Sequence, residues 1–345
     1  MKIFKKILLL IMITTILTTT LIGSVQSNVA SRNPVKVGVL LYNFDDLYIS
    51  NVRKSLEDIQ KANEGKVEFT FFDAKGNQAI QNEIIDSVLK ENFNLLLANF
   101  VDVNSSEVDS FIDNANKKNI PVILFPIAPF ATDFIKSHPK ALVIATDVKQ
   151  AGILQGKILV DAWNTNKEYI DKNKDNILQY VMLTGPSNDT ATVARTKYSV
   201  STINSAGIKT EQLASQACNW NKEIAKNAME SLFLRYDGRI EAIIANSDPM
   251  AIGAIEALQK YGYNTWDKTK TIPVVGIDGI PEARDLIKKG FMTGTVVQDP
   301  SEMAQALYTV GMNLVDNKDP LEGTEYKFDE TGVTIKLPYY EYIQQ

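Results

Sequence analysis

The chain is poor in the residues that most often carry catalysis and covalent cross-links. Its 345 residues include one cysteine, Cys218, and one histidine, His138. This scarcity argues against a disulfide framework, a thiolate zinc site and a Cys–His or Ser–His catalytic pair. His138 lies in the polar run SHPK, which predicts a surface histidine, and Cys218 is predicted to be a half-buried small residue rather than a nucleophile.

The chain also lacks an excess of positive charge and the glycine motifs of phosphate sites. Its formal net charge of −5 argues against an electrostatic nucleic-acid binder, which needs a basic stripe. The sequence contains no phosphate loop and no GxGxxG motif. It therefore points away from nucleic-acid and nucleotide binding.

The N-terminus has the pattern of a targeting segment. Lysines at positions 2, 5 and 6 precede a run of apolar residues and threonines over 7–22, and small residues over 23–27 suit cleavage after Ser27. No cysteine lies near this run, so it is not a lipoprotein signal. Residues 1–27 are predicted to be a signal peptide or, if uncleaved, an N-terminal membrane anchor, with the rest of the chain outside the cytoplasm.

After Pro34, short apolar strands alternate with segments of helical periodicity. This alternation predicts parallel sheets with helices on both faces, and the strands are too many for one compact sheet, so two α/β lobes are expected. No linker rich in Pro, Gly or Ser separates them, so short extended crossings should act as hinges around a cleft. The predicted strands are Val35–Tyr42, Val67–Phe72, Asn94–Ala98, Pro121–Phe125, Ile177–Thr184, Lys209–Ser215, Ala242–Asn246, Ile272–Ile277, Thr293–Gln298 and Val333–Leu337.

Polar and aromatic side chains follow these strands, where ligands bind in open α/β sheets. Carboxylates and amides can take bidentate hydrogen bonds from vicinal hydroxyl groups, and Tyr48 and Trp220 can sandwich a sugar ring between them. The set therefore suits a neutral polyol. The candidate ligand-binding residues are Asp46, Tyr48, Asp189, Arg195, Trp220, Ser247, Asp278 and Gln298.

Two simpler explanations apply to residues in these loops. Asp45, Asp248 and Asp299 follow strands and are equally suited to cap the next helix. Trp220 is explained as well by a place in the core as by contact with a ligand.

Residues 171–179, DKNKDNILQ, have the oxygen spacing of a calcium loop. Oxygen donors fall at loop positions 1, 3, 5, 7 and 9, which turns hard ligands toward one point. The run lacks the Gly at position 6 and the Glu at position 12 of an EF-hand, so a last ligand is expected from elsewhere. A polar, solvated turn is the alternative. The predicted Ca²⁺ ligands are Asp171, Asn173, Asp175, Ile177 through its carbonyl, Gln179 and Glu241.

From residue 36 onward the chain resembles the galactose/glucose-binding (methyl-galactoside transport) family of periplasmic sugar-binding proteins. The matching runs include GVLLYNFDDLYISNVRK near the start, the calcium loop, GIKTEQL, IEAIIANSDPMAIGAIEAL and VVGIDGIPEA. The resemblance implies a type I periplasmic-binding-protein fold, in which two Rossmann-like lobes joined by three hinge segments close on one sugar. It implies an N-terminal lobe of residues 36–146 plus 299–336, a C-terminal lobe of 147–298 plus 337–345, and a structural role for the calcium loop.

The resemblance carries over to the sugar site only in part. Asp46, Arg195, Trp220 and Asp278 match binding positions of the family, and Tyr48 stands where the family has a stacking phenylalanine. Other family donors and acceptors are replaced by Pro126, Asp189, Ala191, Ser247 and Gln298. A buried hydroxyl left unpaired costs roughly 1–3 kcal/mol, so hexose affinity should be weakened. A pentose, a modified sugar or a related polyol stays open as the ligand.

The main hypothesis is a monomeric, extracytoplasmic monosaccharide-binding protein that delivers sugar to an ABC importer by cleft closure. The alternative is a membrane-tethered sugar sensor that presents its ligand state to a histidine kinase or chemoreceptor. A sugar-responsive repressor is disfavoured, because a hydrophobic signal stands where a helix-turn-helix should be. A glycosidase that uses Asp46 and Asp278 as its carboxylate pair is a minor alternative to a non-enzymatic binder.

Overall fold

The computed structural model describes residues 33–127, 132–236 and 238–344. The targeting segment predicted over 1–27 lies outside these residues. Within them, none of the helices is both long enough and apolar enough to span a bilayer.

Short apolar runs form the strands of the described part of the chain. They are β1 (Val35–Leu41), β2 (Val67–Asp73), β3 (Leu95–Ala98), β4 (Val122–Leu124), β5 (Ala141–Thr146), β6 (Ile177–Thr184), β7 (Lys209–Ala217), β8 (Ala242–Ala245), β9 (Val274–Asp278), β10 (Gly294–Val297), β11 (Thr334–Leu337) and β12 (Tyr340–Ile343). The sequences LLLA of β3 and AIIA of β8 are buried at every position. Burial on both faces is what a parallel sheet covered by helices requires.

Helices connect most of the strands. They are α1 (Leu47–Ala62), α2 (Gln78–Val88), α3 (Ser106–Lys117), α4 (Asp133–Lys136), α5 (Val148–Ile170), α6 (Thr190–Ser205), α7 (Lys222–Arg235), α8 (Asp248–Gln259), α9 (Pro281–Lys288) and α10 (Pro300–Val315). Several begin at a side-chain cap. Asp46 accepts a hydrogen bond from the Ile49 amide at the start of α1, and Asp299 accepts from two amides at the start of α10. Such caps satisfy amide groups that the helix itself cannot pair.

The strands form two six-stranded sheets, and each sheet with its helices is one lobe. The first lobe has the strand order β11-β5-β4-β3-β1-β2, and the second has β12-β10-β9-β8-β6-β7. Every pairing is parallel except that of β12 with β10, which is antiparallel. The arrangement is the predicted type I periplasmic-binding-protein fold, with two parallel α/β lobes.

The chain passes between the lobes at three places. It leaves the first sheet after β5 and enters α5, which packs on the second sheet. It returns after β10 into α10, which packs on α1 and the first sheet. It crosses again between β11 and β12, at residues 338–339. We call these three segments the crossings.

The sequence patterns did not predict β5, α4 or β12. The apolar run of β5 is followed directly by Asp147 and α5, so no turn signal separates strand from helix. The strand β12, with sequence YEYI, is only half-buried, because it lies at the edge of its sheet. A short, half-polar edge strand has little of the periodicity by which strands are recognised.

The two rare residues are both more buried than predicted. The surface position predicted for His138 is wrong, because only 7% of it is exposed. Its Nδ1 lies 2.9 Å from the Phe134 carbonyl oxygen and its Nε2 lies 3.1 Å from Oδ1 of Asp113. Cys218 is fully buried rather than half-buried, and burial raises the pKa of its thiol to about 11. Such a thiol is not a nucleophile at neutral pH, as predicted.

Candidate functional site

A cavity of about 430 Å³ lies between the lobes, at the carboxyl ends of strands from both sheets. Its lining includes loops after β1, β3 and β4 of the first lobe and after β6, β7, β8, β9 and β10 of the second. The structure therefore brings together all of the candidate ligand-binding residues around one cavity, namely Asp46, Tyr48, Asp189, Arg195, Trp220, Ser247, Asp278 and Gln298.

Asp46 is the main anionic group on the first-lobe side. Its Oδ1 accepts a hydrogen bond of 2.8 Å from the Ile49 amide, and its Oδ2 accepts one from the hydroxyl of Tyr42. Burial raises the pKa of Asp46, while the Ile49 amide and the Tyr42 hydroxyl oppose that rise. Asp46 thus caps α1 and faces the cavity at the same time. Sequence reasoning missed its partner Tyr42, which is the last residue before the loop and also lines the cavity.

Arg195 is the central cation on the second-lobe side, and only 5% of it is exposed. Its Nη1 donates to the Asn246 carbonyl at 2.8 Å, and its Nη2 donates to Oε1 of Gln298 and to the hydroxyl of Tyr339, both at 3.1 Å. Its Nη1 also lies 3.8 Å from Oδ1 of Asp278. These contacts fix the guanidinium in the cavity wall with one carboxylate beside it.

Asp278 is held in a strained turn. Its φ is +129°, in a region that favours glycine, so the surrounding structure must fix this conformation. The buried carboxylate of Asp248 does so, because its Oδ2 accepts hydrogen bonds from the amides of Gly279 at 2.7 Å and Ile280 at 2.9 Å. Its Oδ1 accepts a bond of 2.6 Å from the hydroxyl of Thr295. Asp248 thereby orients Asp278 toward Arg195.

Both of these aspartates are costly to ionise. Burial is the largest influence on each, and it raises the pKa of Asp248 to about 6 and that of Asp278 well above its usual range. The Arg195 charge works against the rise at Asp278, while the Asp248 carboxylate adds to it. Of the two, Asp278 lines the cavity, so a ligand that donates a hydrogen bond can compensate its carboxyl group for lost water.

The helix-cap explanation holds for one of the three aspartates to which it was applied. Asp299 caps α10, with its Oδ1 accepting from the Ser301 and Glu302 amides. The residue that caps α1 is Asp46 and not Asp45. Asp248 pins the Asp278 turn, and the cap position of α8 is Ser247. The sequence could not distinguish these roles because each aspartate lies between the end of a strand and the first turn of the next helix.

Four buried polar atoms in the cavity wall make no well-formed hydrogen bond to the residues that the structure describes, although the Tyr48 hydroxyl and the Gln298 amide lie close enough to interact. The four atoms are Oη of Tyr48, Oγ of Ser247, Nε2 of Gln298 and Nε of Arg195. All four residues are at least nine-tenths buried. A buried polar atom without a partner costs free energy, so these atoms are matched to hydroxyl groups of a bound guest.

Trp220 belongs to both the core and the cavity. It is half-buried against the hydrophobic core of the second lobe and also lines the cavity, so its two alternative roles coexist. Its ring lies 5.8 Å from the guanidinium carbon of Arg195. Gly185 gives the ring its place, because a Cβ at that position would lie 2.2 Å from Cζ2 of Trp220.

The loop 171–179 lies at the other end of β6, away from the cavity. Glu241 reaches it from just before β8, and its carboxylate accepts from the Lys172 amide at 2.7 Å and the Gln179 amide at 3.1 Å. Nε2 of Gln179 donates to Oδ2 of Asp175 at 2.8 Å. The predicted ligands Asp171, Asn173, Asp175, Gln179 and Glu241 are thus connected through side chains and through the loop backbone.

Two oxygens in this loop have no partner in the described stretches of the chain. They are Oδ1 of Asp171 and Oε1 of Gln179, and both residues are almost fully buried. Burial raises the pKa of Glu241, and the charges of Asp171 and Asp175 raise it further. Across the described residues, no group of three or more His, Cys, Asp or Glu is placed to hold a metal ion by itself. Amide and carbonyl oxygens would have to complete a calcium site here, as they do in calcium loops generally.

Comparison with known proteins gives a consistent result. The periplasmic binding protein domain matches residues 37–319. The chain is 33% identical over 319 residues to the D-galactose/methyl-galactoside binding periplasmic protein MglB of Haemophilus influenzae, and the match covers 92% of each chain.

Two solved structures share the fold. An ABC transporter solute binding protein of Bacillus halodurans with bound myo-inositol has a TM-score of 0.72 at 21% identity, covering 90% of this chain and 95% of that one. A periplasmic solute binding protein of Actinobacillus succinogenes with bound D-allose has a TM-score of 0.74 at 19% identity, covering 90% and 98%. The chain belongs to the periplasmic binding protein family, which is extracytoplasmic. It is accordingly a binding protein and not an enzyme, which excludes the glycosidase alternative.

Proposed function

We propose that this chain is an extracytoplasmic monosaccharide-binding protein that delivers its ligand to an ABC importer. The observation that carries the proposal is the cavity between the lobes. It joins carboxylates, one fixed guanidinium and the half-buried ring of Trp220 with buried polar atoms that lack well-formed hydrogen bonds. Carboxylates and guanidinium groups bind vicinal hydroxyls in pairs, and aromatic faces cover the C–H surface of a sugar ring.

The ligand class is a neutral polyhydroxylated ring of monosaccharide size. Among the relatives described above, one is named for D-galactose and methyl-galactoside, and two were solved with bound myo-inositol and D-allose. The cavity wall here has Pro126 and Ala191, which offer no side-chain hydrogen bonds. We therefore expect a ligand that makes fewer bonds at those two positions than a hexose of the galactoside kind.

Delivery depends on movement of the lobes about the crossings. Asp46 and Tyr48 reach the cavity from the first lobe, and Arg195 and Asp278 reach it from the second. At the rim, Nδ2 of Asn104 lies 3.5 Å from Oγ1 of Thr190 on the opposite lobe. A ligand that bonds to both walls stabilises this closed arrangement relative to an open one, and an importer can recognise the difference.

A sensor is the second candidate, and the N-terminal sequence favours it. Residues 7–22 form a continuous run of apolar residues and threonines without a lipoprotein cysteine. If this segment is retained, the binding protein stays tethered and can present its ligand state to a histidine kinase or chemoreceptor. Intact mass of the protein from membranes separates the two candidates. Retention of 1–27 favours the sensor, and a start near Asn28 favours the free, monomeric importer component.

We further propose that loop 171–179 binds one Ca²⁺. The oxygens Oδ1 of Asp171 and Oε1 of Gln179 are buried without a partner among the described residues, as expected of oxygens placed to bind a cation. Asp171, Asp175 and Glu241 each accept hydrogen bonds from amide groups of this loop, and their oxygens together with amide and carbonyl oxygens would give the hard ligands that suit Ca²⁺. The ion would tie Glu241 to the loop, so its role would be structural.

The sugar proposal is tested by calorimetric titration after a thermal-shift panel of D-galactose, D-glucose, D-allose, L-arabinose, xylitol and myo-inositol. At 100 times Kd, one bound sugar should add about 2.7 kcal/mol to the free energy of unfolding. Asp278→Asn should abolish the shift, while Asp285→Asn, a change on the exposed face of α9, should leave it intact. If none of these sugars shifts the midpoint and an amino acid or peptide does, the proposal is wrong.

A further inference from the structure

One hydroxyl group connects the three crossings. The hydroxyl of Tyr339 lies 2.7 Å from Oγ1 of Thr146 and 3.1 Å from Oε1 of Gln298. Thr146 ends β5 at the first crossing, Gln298 follows β10 at the second, and Tyr339 itself lies in the third. Each crossing therefore contributes one side chain to a single cluster, although Tyr339 and Thr146 are 193 positions apart.

The same hydroxyl holds a residue of the cavity. Nη2 of Arg195 donates to it at 3.1 Å and also donates to Oε1 of Gln298 at 3.1 Å. Arg195, Thr146, Gln298 and Tyr339 are each at least nine-tenths buried. We call these four residues the crossing cluster. Hydrogen bonds to a buried charged group are stronger than those between neutral groups, so the cluster is a rigid point in the molecule.

The protons available to the crossing cluster fix the direction of each hydrogen bond at the Tyr339 hydroxyl. A tyrosine hydroxyl has one proton to donate, and here its oxygen accepts from Arg195. Oε1 of Gln298 carries no proton and can only accept, so the tyrosine proton lies on the bond to Gln298, and the Thr146 hydroxyl donates its own proton to the tyrosine oxygen. The bond from Thr146 thus links the sheet of the first lobe to the hydroxyl that holds the cavity cation of the second.

We infer that Tyr339 is a positioning residue that couples the placement of Arg195 in the cavity to the relative arrangement of the two lobes. A rotation about the crossings that separates Thr146 from Tyr339 removes one bond from the hydroxyl that holds the guanidinium. Conversely, a guest that draws Arg195 toward itself weakens the tie between the crossings. The position of Arg195 in the cavity and the relative arrangement of the two lobes are thus coupled through this hydroxyl.

The first test measures lobe arrangement without any sugar. Nitroxide labels are placed at Ser110→Cys on α3 and Ser205→Cys on α6, two exposed positions in different lobes, and the buried Cys218 stays unlabelled. The distance distribution should broaden or shift in Tyr339→Phe and in Thr146→Val. The matched control is Tyr180→Phe, because Tyr180 is equally buried and its hydroxyl bonds only Gln212 within the second lobe.

The result that overturns the inference is a distribution in Tyr339→Phe that coincides with that of the unsubstituted protein. A fall in thermal stability alone, of the size seen in Tyr180→Phe, would give the hydroxyl a merely structural role. Should Tyr339→Phe fail to fold, Thr146→Val decides the question, because it removes the partner and leaves the tyrosine in place. An unchanged distribution in that variant would equally overturn the coupling.

The second test rests on the proposed function and uses D-galactose and myo-inositol as separate calorimetric probes. Tyr339→Phe should weaken the binding of whichever probe the unsubstituted protein takes by roughly tenfold. The affinity of Tyr180→Phe for the same probe should stay within about twofold of that of the unsubstituted protein. Equal affinity in Tyr339→Phe and the unsubstituted protein would overturn the inference. If the unsubstituted protein binds neither probe, the ligand proposal fails for these sugars, and the distance measurement still decides the coupling.

Discussion

The cavity and the loop 171–179 both gather buried carboxyl groups, but they compensate the charge in different ways. In the cavity, Asp278 has Arg195 beside it, and Asp248 accepts bonds from two amides and a hydroxyl. In the loop, Asp171, Asp175 and Glu241 accept only from neutral amides, and two loop oxygens stay without a partner in the described chain.

The two arrangements suit two kinds of binding, reversible binding of a neutral ligand in the cavity and permanent binding of an ion in the loop. A wall that already holds its own cation can release a neutral guest, because its carboxylates keep a partner afterwards. The loop carboxylates form no ion pair within the described residues, and the nearby ammonium group of Lys172 donates to the Ile240 carbonyl instead. A bound ion would compensate their charge, so we expect a permanently bound ion there. If both proposals hold, carboxylates would serve reversible ligand binding at one end of β6 and permanent ion binding at the other.

The largest expected effect comes from removing the cavity's cation. Arg195→Met leaves the Asp278 carboxylate buried without its ion-pair partner. It also removes the hydrogen-bond donors of the guanidinium group from the cavity wall. We expect sugar affinity to fall at least about 100-fold and the free energy of unfolding to fall by about 3 kcal/mol. Calorimetry and chemical denaturation measure the two effects.

The matched control is Arg239→Met, whose ion pair with Glu211 at 3.3 Å is half-exposed and lies outside the cavity. Such surface pairs contribute little, so both quantities should stay nearly unchanged. If Arg195→Met binds sugar within about threefold of the unsubstituted protein, the cavity does not depend on its own cation and the contrast with the loop collapses.

The second prediction concerns pH and Asp248. Because burial raises its pKa from 3.8 to about 6, the folded chain holds this proton more tightly than the unfolded chain does. Its contribution to stability is therefore complete at low pH and is lost as pH rises from about 4 through 6. Asp248→Asn removes this loss. Relative to the unsubstituted protein, the free energy of unfolding of this variant should therefore rise by up to about 3 kcal/mol between pH 4 and pH 7.

Denaturation at a series of pH values measures that difference. Asp299→Asn, which changes a half-buried capping carboxylate, controls for the removal of one charge. If the difference in unfolding free energy between Asp248→Asn and the unsubstituted protein does not change across this pH range, the amides of the Asp278 turn compensate the carboxylate fully.

The third prediction tests the loop directly. Calcium at 100 times Kd should raise the free energy of unfolding by about 2.7 kcal/mol, and a chelator should reverse the gain. Glu241→Gln should remove most of this response, because it deletes the carboxylate that closes the loop. Glu211→Gln, on the exposed neighbouring strand β7, should keep it. Absence of any calcium response in the unsubstituted protein would leave the loop as the polar turn that was the alternative.

The smallest expected effect is that of Tyr48→Phe, which should stabilise the fold slightly and weaken sugar binding. The hydroxyl of Tyr48 is buried in the cavity wall and makes no well-formed hydrogen bond to the residues described, with the Gln298 amide beside it. Tyr48→Phe should therefore raise the thermal midpoint slightly and weaken sugar binding by about threefold to tenfold. Tyr180→Phe, which removes a paired hydroxyl, should lower the midpoint instead. A lowered midpoint in Tyr48→Phe would mean that the hydroxyl is already satisfied before any sugar binds.

The sequence by itself determined the lobes and the location of the site. Continuous apolar strands such as Ala242–Ala245 can only be buried on both faces, and that requires helices on either side. Since the carboxyl ends of parallel strands share an edge, residues that directly follow them converge. All of the candidate ligand-binding residues line one cavity for this reason.

Only the tertiary structure decided what each polar residue does there. Asp46, Asp248 and Asp299 all follow strands, yet Asp46 caps a helix and faces the cavity, Asp248 pins a strained turn, and Asp299 caps a helix. The hydroxyl of Tyr339 gave no signal at all, because its partner Thr146 is 193 positions away. Hydrogen bonds between distant positions leave no periodic trace in a sequence, and they form only after the lobes have packed.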